Sequence, residues 1–250
     1  RPPDNGATMI DNEAELEEEV GDLPAAERLY AQAVDIWSRS LGPTHPFVAH
    51  GIDSLAQVVA RRGQLTRART LYARALAIRR KALGPMHPQV GYTLANLAAT
   101  ELEARDYVSA SCHIEEAITL YGQTGASDEP DHLGRMLELR GKIASARGDV
   151  ASARASVNDA LLERERVFGS AHPLTSETRA ALARLDLMRG DVTHAVAEAL
   201  TAEREGRDHL RNTLRYLPER QALAYAARRP HALDVHLSGG IADPTVRVTV

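Results

Sequence analysis

The sequence predicts an all-α fold, an α-solenoid of stacked helical hairpins. Two observations lead to this prediction. Aromatic residues are only 4% of the 250 residues while Ala, Leu and Arg abound, a composition that favours helices over strands. A segment that opens with Gly-Asp, or a close variant of it, recurs every 42 or 43 residues, and periods of this size are typical of helical-repeat proteins.

The period is the spacing between the residues that begin the turn inside each repeat. Gly21, Gly63, Gly148 and Gly190 begin four copies, and Arg105 begins the third of the five. The successive spacings are 42, 42, 43 and 42 residues. A hairpin of two amphipathic helices cannot bury its own apolar stripes, so we expect successive hairpins to stack and share a continuous core.

Apolar stripes with helical spacing define the individual helices. They predict one helix over residues 65–81 and the next over residues 88–104. The two stripes consist of Ala68, Leu71, Tyr72, Ala75 and Leu76, and of Val90, Leu94, Leu97, Ala98 and Leu102. The same phase gives four complete units, over residues 47–80, 89–121, 132–165 and 174–204.

The period also divides the chain. We expect an incomplete N-terminal repeat, because its first helix is acidic and poor in apolar residues, as at a frayed or truncated end. After Ala202 the period fails, so the last helix is expected to run on to about Leu217 and a helix after Pro218 to cap the array. A linker toward a missing C-terminal domain follows, in which residues 246–250 could form a strand. The incomplete repeat occupies residues 1–46 and the four repeats occupy residues 47–204. The capping helices occupy residues 205–230 and the linker residues 231–250.

A six-residue motif joins successive repeats. It reads LGPTHP at residues 41–46, LGPMHP at 83–88 and FGSAHP at 168–173, with a degenerate copy at 125–130. The glycines Gly42 and Gly84 can take the left-handed conformation that ends a helix. The last proline suits the first turn of the next helix, and we expect the histidine before it to bond backbone or a neighbouring side chain there.

These repeats resemble a known family. The stretches LAQVVARRGQLTRARTLYARALAIRR and YTLANLAATELEARDYVSASCHIEEAITLY are similar to tetratricopeptide repeats. Small residues stand at Ala56, Ala68 and Ala75, and an aromatic at Tyr72, where that motif places them. The extension from 34 to about 42 residues resembles the kinesin-light-chain type of repeat. The resemblance covers about residues 12–202 and implies a protein that binds proteins or peptides.

Composition argues against several other classes. A formal charge of -4 provides no field for a polyanion, so no nucleic acid partner is expected. The single cysteine excludes an intrachain disulfide framework. No apolar run reaches the roughly 18–20 residues that cross a bilayer, so we expect no membrane contact and a cytoplasmic location.

Candidate chemistry is weak, and we predict no enzyme, metal or cofactor. His45, His87 and His172 lie whole repeats apart, on the order of 10 Å or more, whereas zinc ligands lie about 2 Å from the metal. Cys112 and His113 are adjacent, and neighbouring side chains on a helix diverge by about 100°. Cys112 is expected to be a buried or half-buried structural thiol. An enzyme in its own right is the remote alternative.

A surface stripe is the better candidate site. It follows positions i, i+4, i+7 and i+11 of each first helix: His50, Ser54, Gln57 and Arg61; Tyr92, Asn96, Ala99 and Glu103; Arg135, Leu139, Lys142 and Ala146; Glu177, Ala181, Arg184 and Met188. By the family resemblance this side lines a groove that holds extended peptides, and Asn96 matches the groove asparagine of the family.

Eight residues of this stripe are the predicted peptide-binding residues: His50, Ser54, Gln57, Tyr92, Asn96, Arg135, Lys142 and Arg184. The positions equivalent to Asn96 are Ser54, Leu139 and Ala181, so the asparagine ladder of the family is not maintained. A solvated helix face without any ligand explains the same residues.

The tail has a narrower resemblance. The stretch LPERQALAYAARRPHALDVHLS resembles the segment that connects a tetratricopeptide array to a caspase-like CHAT peptidase domain in bacterial proteins. This implies a regulatory array that acts on a C-terminal peptidase in cis. The family's His and Cys dyad belongs to that further domain, so no catalytic residue is assigned here. A stand-alone peptide-binding adaptor resembling kinesin light chain is the alternative.

Overall fold

The structure, a computed structural model, describes residues 5–124 and 130–214. These residues form ten α-helices and no strand, which confirms the all-α prediction. The helices are α1 (Asn5–Val20), α2 (Leu23–Leu41), α3 (Pro46–Arg61), α4 (Leu65–Leu83), α5 (Pro88–Glu103), α6 (Tyr107–Thr124), α7 (His132–Ala146), α8 (Val150–Phe168), α9 (Pro173–Met188) and α10 (Val192–Leu214).

The helices pack as sequential hairpins in two compact units, Arg1–Asp128 with α1 to α6 and Glu129–Val250 with α7 to α10. In each hairpin the first helix packs along the second, and within each unit the second helix packs on the first helix of the next hairpin. The predicted helices at 65–81 and 88–104 match α4 and α5 to within two residues.

The predicted ends of the array are only partly described. Residues before Phe47 form a full hairpin of α1 and α2, with Ala7, Ala14, Tyr30 and Trp37 at most 1% exposed. The last helix, α10, is the longest at 23 residues, as expected for a helix that runs on past its repeat. The degenerate joint at 125–129, the capping helix after Pro218, the linker at 231–250 and the strand at 246–250 lie outside the described residues.

Small residues let the helices approach closely. Ala56, Ala68 and Ala75 are fully buried, and Tyr72 is 2% exposed, as the repeat motif predicts. Gly51 on α3 lies against α2, where an added Cβ would stand 2.8 Å from Val34 Cγ2. Residues with little or no side chain therefore set the spacing between successive hairpins.

The joint histidines cap helices, as predicted. His45, His87 and His172 are the N-caps of α3, α5 and α9, and each Nδ1 accepts a backbone N–H two residues further on at 3.2 Å. Gly42 and Gly84 have the predicted positive φ, at 95° and 90°. Their ψ values of 153° and 156° place them outside the left-handed helical region, in a region open essentially only to glycine.

Buried arginines connect successive hairpins. In unit 1, Arg79 on α4 pairs with Asp53 on α3 and donates to Thr93 Oγ1 on α5, so one guanidinium links three helices. All three side chains are less than 5% exposed. Unit 2 has the same arrangement 85 residues further along the chain. Its members are Glu138, Arg164 and Thr178.

Candidate functional site

The structure places the whole predicted stripe at solvent-accessible positions on the first helices of the hairpins. The eight predicted peptide-binding residues are exposed or half-buried. Five lie on α3 and α5 of unit 1, namely His50, Ser54, Gln57, Tyr92 and Asn96. Three lie on α7 and α9 of unit 2, namely Arg135, Lys142 and Arg184.

Helix α1 adds a residue that the sequence analysis missed. Asn12 lies 42 residues before Ser54 and 84 before Asn96, at the equivalent position of its own repeat, and it is exposed. The repeat spacing contains this signal, but the expectation of a frayed first helix excluded α1 from the stripe. Unit 1 therefore carries Asn, Ser and Asn at one position of its three first helices.

The amide groups of the unit 1 stripe are available to a ligand. Within the described part of the chain, the side chains of Asn12, Gln57 and Asn96 form no hydrogen bond. A primary amide has two N–H donors and a carbonyl acceptor. Each of these side chains can therefore donate to and accept from a peptide backbone without breaking an existing bond.

The basic side chains of the same stripe, His50 and Arg61, are held by partners. His50 Nε2 lies 3.2 Å from Asp11 Oδ2, and this hydrogen bond raises the pKa of His50 although burial opposes the shift. Arg61 binds Glu18 at 2.7 Å, and Glu18 also accepts the Tyr30 hydroxyl at 3.2 Å. These contacts fix α3 against α1 and α2, whereas the amides between them remain unbonded.

The stripe of unit 2 has a different chemistry. At the position of Asn96 it has Leu139 and Ala181, so it lacks the amides. Its cations are Arg135, Lys142 and Arg184, of which Lys142 pairs with Glu138 at 3.2 Å. The stripe of unit 2 therefore presents three cations, one exposed carboxylate at Glu177 and apolar surface where unit 1 presents amides.

The stripe of unit 1 is acidic at its margins. Glu15, Glu19 and Glu103 occupy stripe positions on α1 and α5, and all three are exposed. Arg61 is the cation of this stripe, and Glu18 already pairs with it. These carboxylates give the margins of the stripe a negative potential.

Cys112 is exposed, which makes the expectation of a buried or half-buried thiol wrong. Helix α6 buries Ala110, Ile114 and Ala117, and a residue two positions after Ala110 points away from that face. His113 Nδ1 lies 2.7 Å from Glu101 Oε2. Among the described residues, no group of three or more His, Cys, Asp or Glu side chains could hold a metal ion.

Unit 1 also has a cavity of about 610 Å³ between α4 and α6, with α5 at its base. Ala73, Ala77 and Leu97 provide its apolar wall, and Arg69 and Glu101 lie at its polar side. None of the eight predicted peptide-binding residues lines it. Separately, no helix in the described ranges is long and apolar enough to cross a membrane.

The hairpin geometry and the repeat spacing define a helical-repeat protein, and comparison with known families agrees. Two tetratricopeptide repeat models match residues 7–47 and 49–123. Unit 1 is therefore similar to tetratricopeptide repeats over most of its length. No curated protein matches it by sequence.

Solved structures show the same fold at low sequence identity. A putative kinesin light chain with TPR-like repeats from Podosopora anserina is 20% identical, with a TM-score of 0.71 over 82% of this chain and 96% of that one. BtubC (BKLC) from P. vanneervenii is 24% identical, with a TM-score of 0.68 over 82% and 80%. A Rap protein in complex with competence and sporulation factor is 14% identical, with a TM-score of 0.65 over 97% and 65%.

Proposed function

We propose that this chain is a non-catalytic protein interaction module that holds an extended peptide segment of a partner protein along the stripe of unit 1. The observation behind the proposal is the recurrence of unbonded polar side chains at Asn12, Ser54 and Asn96, one on each successive first helix. An extended backbone offers N–H and C=O groups at regular intervals, which amides on neighbouring helices can bind without regard to sequence.

The acidic margin of unit 1 gives the segment a preferred charge. Glu15, Glu19 and Glu103 attract a segment that carries Lys or Arg beside its bound backbone. Basic peptides are therefore expected to bind more tightly than acidic peptides of equal length, and the preference should weaken as salt screens these exposed charges.

The similar proteins support a binding role. One of the solved structures with this fold is a Rap protein in complex with competence and sporulation factor, and others are of kinesin-light-chain type. The repeat length of about 42 residues supports a likeness to the kinesin-light-chain type. A cytoplasmic location is part of the same proposal.

The test is selection from a displayed library of random peptides against the full chain, followed by affinity measurement on purified variants. The double variant Asn12→Ala with Asn96→Ala is expected to bind the selected peptides at least tenfold more weakly, since it removes two amides that each contribute about 1 kcal/mol. The matched control is Asn158→Ala on α8, away from the stripe. Equal binding by both variants would refute the assignment of the groove.

A finer proposal concerns the context of the module. The tail after Leu217 resembles the connector to a CHAT peptidase, which favours a role in which partner binding regulates a peptidase in cis. The stand-alone adaptor of kinesin-light-chain type is the alternative, favoured by the 42-residue repeat. Sequencing the gene downstream of the codon for Val250 separates the two: a CHAT domain with its His and Cys pair supports the first, and an immediate stop codon supports the second.

A further inference from the structure

One buried carboxylate on α1 lacks the cation that its equivalents have, and we propose that Asp11 binds a lysine or arginine side chain of the peptide segment held by unit 1. Asp11 is 5% exposed, and within the described residues its Oδ1 accepts no hydrogen bond. The inference rests on the proposed function, because it assigns one contact of the segment that lies along the stripe.

The equivalent acids of other repeats show which partner such a carboxylate has. Asp53 lies 42 residues after Asp11, and Glu138 lies 85 residues after Asp53. Asp53 pairs with Arg79, and Glu138 pairs with Arg164. In both cases the arginine belongs to the second helix of the same hairpin, so the equivalent partner of Asp11 is expected on α2.

The acid and the arginine occur together or are both absent in every repeat except the first. The residues at the two positions are Ala95 with Tyr121 in the third repeat and Ala180 with Gly206 in the fifth. In the first repeat the acid is Asp11, but Trp37 occupies the arginine position and is 1% exposed. The missing arginine is therefore a difference inside the hairpin of α1 and α2, both of which the structure describes.

His50 is the present partner of Asp11, and it satisfies this carboxylate only in part. Its Nε2 lies 3.2 Å from Asp11 Oδ2, and its side chain is 48% exposed at the first position of the stripe on α3. A neutral imidazole gives the carboxylate one hydrogen bond and no charge. Asp11 Oδ1 and the buried Nε1–H of Trp37 have no hydrogen-bond partner in the described part of the chain.

A lysine or arginine side chain matches these atoms better than His50 does. An ammonium or guanidinium group carries a full charge and several N–H donors, so it can bond both oxygens of Asp11, which one imidazole nitrogen cannot. Its long apolar stem lets the charge reach a carboxylate below the surface by displacing the half-exposed His50. Asn12 follows Asp11 directly, so one segment can place its backbone at Asn12 and its cation at Asp11.

The burial of Asp11 gives this contact a different role from the exposed carboxylates at the margin of the stripe. Glu15 and Glu19 attract any positive segment, and salt screens that attraction. At Asp11 water is largely excluded, which strengthens the attraction between opposite charges. The Asp11 site therefore selects a cationic side chain at one fixed position of the bound segment.

The experiment uses peptides selected from the random library against the full chain, each in its original form and with one Lys or Arg replaced by Gln. For the wild-type chain, one such replacement is expected to weaken binding at least tenfold. For Asp11→Asn the same replacement should change the affinity less than twofold. The Gln peptide should bind Asp11→Asn as tightly as it binds wild type, a result that a loss of folding cannot produce.

The matched control is Glu13→Gln, which removes an exposed charge from the same helix and should keep the tenfold difference between the two peptides. For wild type the difference should persist at about 0.5 M salt, because the pair is buried. The Asp11 site is overturned if the selected peptides contain no required Lys or Arg, or if Asp11→Asn keeps the tenfold difference. Either result leaves the groove intact as long as Asn12→Ala with Asn96→Ala still binds weakly, whereas wild-type affinity of that double variant refutes the groove itself.

Discussion

Units 1 and 2 share their buried ionic contacts and differ on their exposed stripes. Arg79 and Arg164 occupy equivalent positions and each joins three helices, whereas the position of Asn96 holds Leu139 and Ala181 in unit 2. Buried charges must be paired, so few replacements are tolerated there. Exposed positions carry no such requirement. The difference indicates that the interior fixes the spacing of the hairpins, and we propose that the stripe selects the partner.

The largest loss of folding stability is expected from substitution of the buried arginines. Arg79→Met leaves the Asp53 carboxylate buried without its cation, which should lower the free energy of unfolding by about 3–5 kcal/mol. Arg164→Met should cost less, because its partners Asp131 and Glu138 are 14% and 27% exposed and water can solvate them. Urea titrations measure both losses.

The control for this pair is Arg74→Met, an exposed arginine on α4. The cost of Arg79→Met should shrink at pH 5, because burial raises the pKa of Asp53 to about 6 and a neutral carboxyl is less costly to bury alone. Equal losses for Arg79→Met and Arg74→Met would show that the buried contact contributes nothing to stability.

A smaller change, an increase in stability, is expected from a substitution at Arg105. This residue of unit 1 stands at a position that glycine occupies in the other repeats. Its φ is 61°, whereas glycine occupies the equivalent positions 21, 63, 148 and 190. Arg105→Gly should raise the free energy of unfolding by about 1 kcal/mol by removing the steric cost of a side chain in this conformation. Arg105→Ala is the matched control, since it keeps the Cβ, and a similar gain there would assign the effect to the charge.

The smallest effect is the pH dependence of stability that comes from His50 in unit 1. Asp11 raises the pKa of His50 above its ordinary value of 6.5, so the stabilisation is complete below pH 6.5 and is lost as the pH rises through the higher pKa of the folded state. The His50 side chain is 48% exposed, which limits the effect to about 0.5 kcal/mol or less. His50→Gln should remove this slope in denaturation curves measured from pH 6 to 8, and a slope unchanged by the substitution would assign it to another group.

Much of this architecture was predictable because glycine and proline residues end and begin the helices of each repeat through local backbone effects. Proline after His87 sets the first turn of α5, and glycine at position 84 ends α4, so the helix limits follow from the sequence. A glycine that ends a helix is expected to have a positive φ, but this expectation does not determine its ψ. The extended ψ of Gly84 was therefore not predicted.

The parts that were not predicted depend on contacts between hairpins. The pairing of Arg79 with Asp53 recurs only every second repeat, with Trp37 and Tyr121 at the intervening positions, so a comparison of adjacent copies does not reveal it. The exposure of Cys112 depends on which face of α6 meets its neighbours. The stripe and its residue types followed from periodicity, but which of its side chains are already bonded required the hydrogen-bond partners of each side chain.

The most direct test of the central claim is to observe the side-chain amides of the asparagines by nuclear magnetic resonance while a selected peptide is added to the full chain. If unit 1 holds an extended backbone, the signals of Asn12 and Asn96 shift together with a single dissociation constant, and the signal of Asn158 on α8 does not move. Saturable peptide binding that leaves the signals of Asn12 and Asn96 unchanged would contradict the proposed groove.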